Sequence, residues 1–378
     1  MRRGSLSCTL CLLCLWPGLS RAQSIEENPW FVRAGITPSF ILPNNPFPTT
    51  NNVESVPRGS DVTIEAGRQT DGSEKWHELY GMPSYGVGLS IASFGNDVQR
   101  IRPIEVYTFF SWPFARINER LDVTTDFGMG LSWNWQEALG SNVNARIDWG
   151  FFARYLTTPK TNLYMGVDFT HRSNGGTVEP NRGINVIGPK VALRYNFASD
   201  EPPMPSGDRP PFERAWEFVA GGAAGVKNAI EQRDPIVRQD FGALDATAAV
   251  QYHFYRFGKV AGGTDVTYDG SKGARLDADN QEVRADVGQR WALGLYGGYE
   301  HLIGRLSALV QMGSIVARGF DDPETPRLYA RYGWRFQIND RYWATFSIRA
   351  RDGRDADALE FGGGYRIPIS RPLSPDKE

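Results

Sequence analysis

The chain has 378 residues, 41 of them glycine, with 12% aromatic residues and a formal net charge of −2. That near-balance excludes the strongly basic face a nucleic-acid partner needs, and no stretch beyond the N-terminus approaches the roughly eighteen apolar residues of a membrane helix. Two β-rich classes are left. One is a soluble β protein; the other is an outer-membrane barrel, whose strands alternate apolar with polar residues and so never look hydrophobic on average.

Residues 1–22 read as a secretory signal peptide. Arg2 and Arg3 open it, the apolar run from Leu6 to Leu15 follows, and Ser20-Arg21-Ala22 forms a small-x-small site with cleavage predicted after Ala22. Removing it takes away all three cysteines (Cys8, Cys11, Cys14) and three arginines, leaving 38 basic against 43 acidic residues, a net charge of about −5. A mature chain without thiols has no disulfide framework, Cys-ligated metal or Cys nucleophile. No metal and no cofactor is expected.

Period-two alternation then runs along the chain. About eight segments precede residue 198, near 30–41, 61–68, 85–94, 104–112, 121–133, 144–156, 162–173 and 185–197. About eight more lie near 215–226, 244–255, 259–268, 289–299, 305–316, 328–338, 342–349 and 359–369. Tyr332, Trp334, Phe336 and Ile338, for example, interleave with Arg331, Gly333, Arg335 and Gln337. An apolar, aromatic face against a charged one suits lipid outside and a wet lumen, and no helix of convincing length is predicted. The expected fold is all-β, an antiparallel transmembrane β-barrel of about 16 strands, with two tandem 8-stranded barrels as the alternative. The stretch 198–212, with five prolines, is read as a connection between a site-bearing half (23–197) and a C-terminal strand half (213–369), with a tail at 370–378. An even strand count leaves both termini on the periplasmic side. His77 is expected in a periplasmic connection, His253 and His301 at an interface or in the lumen, and Asp265 and Asp269 in a solvated turn.

One segment carries chemistry. Along 163–173 one face reads Leu163, Met165, Val167, Phe169, His171, Ser173, so a histidine and a serine stand on the lipid side at the strand end. On the returning strand Asn185, Ile187, Pro189, Val191 and Leu193 share a face, which brings Asn185 to the same end. A serine beside a histidine oriented by a third polar group is the layout of nucleophilic acyl transfer. Asn174, Gly175 and Gly176 follow, able to offer backbone N–H groups and an amide to an oxyanion. If the first strand rises from the periplasm the seventh rises too, and the site lies at the outer leaflet.

His171-Arg172-Ser173-Asn174, followed by Pro180-Asn181-Arg182-Gly183-Ile184, resembles the lipid A 3-O-deacylases, outer-membrane barrels with a serine esterase site on the lipid-facing wall. Gln69-Thr70-Asp71-Gly72 with Trp76 and Tyr80 is similar to the longer acyloxyacyl-hydrolase-like relatives. The resemblance covers about residues 30–197. It implies Ser173 as nucleophile, His171 as general base, and Asn174 with Gly175 and Gly176 as oxyanion donors, acting on lipopolysaccharide in the bacterial outer membrane. Asn185 stands where the best-known members carry glutamate, and Glu179 in the intervening loop is a substitute for that acid. Two functions follow: an esterase removing an acyl chain from lipid A, or a non-catalytic barrel, porin or structural, that keeps a relic of the site.

Overall fold

The computed structural model describes residues 29–42, 58–95, 100–135, 139, 141–175, 183–198, 212–231, 237–273, 275–276, 282–283, 285–320, 326–353 and 355–369. The predicted signal peptide, the loop bearing Gly176 and Glu179, most of the Pro-rich connection and the tail lie outside these residues.

The N-terminal half forms β1 (Trp30–Ile41), β2 (Arg58–Gln69), a short helix α1 (Lys75–Leu79), β3 (Ser84–Gly95), the two-residue β4 (Arg100–Ile101), β5 (Ile104–Asn118), β6 (Leu121–Trp133), β7 (Asn144–Thr158), β8 (Thr161–Ser173) and β9 (Ile184–Asn196). The C-terminal half forms β10 (Ala215–Glu231), β11 (Val237–Tyr255), β12 (Gly258–Asp269), the minor pair β13 (Arg275–Leu276) and β14 (Glu282–Val283), β15 (Trp291–Ile303), β16 (Leu306–Arg318), β17 (Leu328–Gln337), β18 (Tyr342–Arg351) and β19 (Asp355–Pro368). The sixteen predicted segments correspond to the sixteen long strands. The helix was not expected, and β10 and β11 run further than predicted, forming a hairpin of 17- and 19-residue strands.

The expected single barrel of about sixteen strands is not what forms. β1 pairs antiparallel with β9 as well as with β2, and β2 with β3, so eight strands close on themselves. β10 pairs with β19 in the same way and closes a second barrel of eight. The physical reason is edge satisfaction: each half can pair its first strand with its last, and closure removes every exposed ladder edge.

Burial is inverted relative to a soluble protein. Ile64 and Leu89 are 61% and 56% exposed, whereas Glu65, Glu105 and Arg172 are 2%, 0% and 0% exposed. The charges survive inside because they pair. In the first lumen Arg33 bonds Glu65 and lies 2.7 Å from Asp126, and Arg146 bonds Glu105 and lies 2.9 Å from Asp148. In the second, Arg331 meets Asp245 at 2.8 Å, Asp265 at 3.0 Å and Glu360 at 2.8 Å, while Lys227 lies 2.8 Å from Asp269. Asp265 is therefore a lumen ion-pair partner on β12, whereas Asp269, the last residue of β12, both pairs with Lys227 and opens the turn, its Oδ1 accepting from Ser271. An apolar exterior over a polar, internally bonded interior is the arrangement of a barrel in a bilayer.

Connection lengths orient it. The turns after β5 and β7 are two residues long, 119–120 and 159–160, at the end that also carries the 70–83 connection with α1, whereas those after β1, β6 and β8 span 42–57, 134–143 and 174–183. Short turns face the periplasm and long loops the exterior, which puts the C-terminal end of β8 at the outer surface.

Candidate active site

The β8–β9 register sets His171 directly opposite Asn185, and the β7–β8 register sets Ala145 opposite Ser173. Cross-strand partners stand about 5 Å apart at Cβ, and residues two apart share a face. Backbone pairing alone therefore gathers Ser173, His171 and Asn185 on the lipid-facing side. His171 Nδ1 lies 2.6 Å from Asn185 Oδ1, and its Nε2 lies 2.9 Å from Ser173 Oγ. With Nδ1–H donating to the amide oxygen, Nε2 carries the lone pair and faces the serine hydroxyl. That is the tautomer a general base needs.

Between the two, Arg172 points the other way. It is fully buried, its Nε donates to Glu105 at 2.5 Å, and its Nη2 donates to Asp61. Asp61 sits on β2 and Glu105 on β5, so the strand bearing the pair is tied across the lumen. Glu105 also accepts from Ser132 Oγ at 2.9 Å, and Ser132 Oγ accepts from Trp135 Nε1 at 2.6 Å. Trp135 stacks on Phe94 within an apolar cluster that includes Leu139, Ile184 and Val186. This plug braces the outer end of the barrel beneath the site.

Asn174 is buried and its Nδ2 donates to the Leu139 carbonyl at 3.0 Å. Its side chain thus pins the turn after β8 to the neighbouring loop. Gly175 follows with φ of +66°, in the left-handed region that favours glycine. Gly176 and Glu179 lie outside the described residues. Of the remaining histidines, His77 is buried in α1, His301 Nε2 lies 3.1 Å from the Tyr80 hydroxyl, and the His253 ring packs against Phe212. None of them joins the site. Alternation with His171 and Ser173 puts Arg172 on the lumen side, but its ion pairs with Asp61 and Glu105 are not legible in the sequence.

Two family models match the chain: "Lipid A 3-O-deacylase (PagL)" over residues 62–194 and "Acyloxyacyl hydrolase, C-terminal domain" over residues 214–369. Ser173, His171 and Asn185 fall within the first. The crystal structure of the outer membrane enzyme PagL is similar at 16% identity, covering 44% of this chain and 98% of that one, with a TM-score of 0.31. A triple-mutant porin of Rhodopseudomonas blastica is similar at 8% identity, covering 89% of this chain and 99% of that one, with a TM-score of 0.16. No curated protein sequence matches.

Proposed function

Since the chain belongs to the lipid A 3-O-deacylase and acyloxyacyl hydrolase family, we propose that its N-terminal barrel is a serine esterase hydrolysing an acyl ester of lipid A in the outer leaflet. The observation that carries this reading is the hydrogen-bonded file Ser173–His171–Asn185 on the lipid-facing wall at the outer end of β8.

The chemistry follows from the file. Ser173 Oγ attacks the ester carbonyl of a lipid held against the wall, and its proton passes to His171 Nε2. Asn185 Oδ1 holds the imidazole by its Nδ1–H throughout. Negative charge on the former carbonyl oxygen is met by backbone N–H groups of the turn after Ser173, which the left-handed Gly175 bends sharply. The imidazolium returns its proton to the departing sugar oxygen as the C–O bond breaks, leaving an acyl-serine. Water, deprotonated by the same imidazole, then releases the fatty acid and restores the serine. The Asn174 side chain, engaged with Leu139, contributes by shaping this turn. Each step uses groups of this chain alone, and no cofactor enters.

Both lumens favour this reading over a channel. Eight strands give an interior that side chains can just fill, and here ion pairs span it. The test is mass spectrometry of lipid A from cells producing the chain or its Ser173→Ala variant. Loss of one acyl mass with the unaltered chain alone is expected. Identical spectra, with both proteins folded in the outer membrane, would refute the esterase.

A further inference from the structure

The second barrel reaches the site. Gly175, two residues beyond Ser173, is buried, and a methyl built on it would stand 2.8 Å from Leu359 Cδ2. Leu359 lies on β19 opposite Val226 and Ile348, on the outward face shared with Phe361. The turn after the nucleophile thus rests on the wall of the neighbouring barrel.

The barrels meet again at their periplasmic ends. The Tyr80 hydroxyl donates to the Leu302 carbonyl, and Trp112 packs against Phe257 and His301 with ring centroids 6.0 and 6.2 Å away. From Trp112 an aromatic ladder crosses the wall of the first barrel: Trp112 to Phe114 at 6.0 Å, Phe114 to Phe151 at 6.4 Å, and Phe151 to Trp149, one step nearer the site, at 5.1 Å. Trp149 is paired with Phe169, and the next outward residue on its strand, Ile147, with His171. The ladder therefore runs from one inter-barrel contact to the base of the site. Phe114, Phe151 and Trp149 nonetheless remain 44%, 49% and 47% exposed. The barrels touch beside the foot of the ladder, at Trp112, and again at the Gly175 turn beyond Ser173.

Building on the serine-esterase reading, we infer that this exposed aromatic face receives the acyl chain of the ester under attack, and that Leu359 of the C-terminal barrel bounds it at the outer end. A chain whose carbonyl sits at Ser173 Oγ must descend into the hydrocarbon layer, and the ladder is the apolar surface continuous with His171 along that path. Leu359 acts by bounding the chain where it passes the Gly175 turn. The C-terminal barrel is then part of the substrate site, although the hydrogen-bonded file lies wholly on the first.

The test compares full-length protein and its Leu359→Ala, Leu359→Met and Ser173→Ala variants, in detergent micelles, on lipid A and on a short-chain ester. A single methylene in an apolar site is worth about tenfold in selectivity. Leu359→Ala is expected to lower the ratio of lipid A to short-ester turnover at least about tenfold, mainly through KM, with Leu359→Met restoring it. An unchanged ratio in Leu359→Ala, with Ser173→Ala inactive, would overturn the acyl-chain inference and leave the esterase standing. Equal loss on both substrates would also overturn it, reducing Leu359 to a packing contact. Hydrolysis that persists in Ser173→Ala would instead overturn the esterase reading and the inference with it.

Discussion

At the scale of the residue, Asn185 sets how far the imidazole is assisted. Its amide oxygen, 2.6 Å from Nδ1, fixes ring orientation and tautomer but brings no negative charge to stabilise the imidazolium. Asn185→Ala is expected to reduce kcat about tenfold or more by freeing the ring, whereas Asn185→Glu is expected to raise it. Initial rates on purified lipid A check both, and a slower Asn185→Glu would show that the amide is not the weaker orienting group. Arg172 works differently, through the lumen. Arg172→Met removes the cation that Asp61 and Glu105 share, though Arg146 still serves Glu105. Stranding a buried partner costs about 3–5 kcal/mol. The expected result is a lowered temperature for the heat-induced shift in electrophoretic mobility, with Ser173 and His171 chemically untouched.

At the scale of the element, the β8–β9 hairpin shows what alternation can and cannot specify. Period two placed Ser173, His171 and Asn185 on one face because each is fixed by its own parity, and the register joins them without any special turn. The same alternation put Arg172 inside. It also gave strand positions closely, with 30–41 and 121–133 matching β1 and β6 at both ends. It could not say which strands pair across a distance. The bonds between β1 and β9 are main-chain groups that every residue carries, so closure into two barrels had no residue-type signature. The role of Leu359 was hidden for a related reason, since it depends on how two closed surfaces meet. Lipid contact along β8 has its own consequence. Val167, midway and outward, is expected to tolerate arginine poorly, at about 2–4 kcal/mol near the bilayer midplane. Refolding of Val167→Arg into vesicles across a urea series measures this, and a midpoint matching the unaltered chain would place that face away from lipid.

At the scale of the whole molecule, two barrels with ion-paired interiors stand side by side, held at the periplasmic ends by Tyr80 and Leu302 and at the outer ends by Gly175 and Leu359. Arg331 with its three carboxylates, and Arg146 and Arg172 with Glu105, obstruct the paths an ion would take. Purified protein in planar bilayers is therefore expected to give no stable conductance steps, and porin-sized steps would contradict the filled interiors. The long β10–β11 hairpin has an effect outside the membrane altogether. Seventeen residues at about 3.4 Å each, tilted some 45°, reach roughly 40 Å, against an apolar band of about 25 Å. The hairpin therefore stands clear of the lipid and rises among the surface sugars, its two strands still paired as far as Glu231 and Val237.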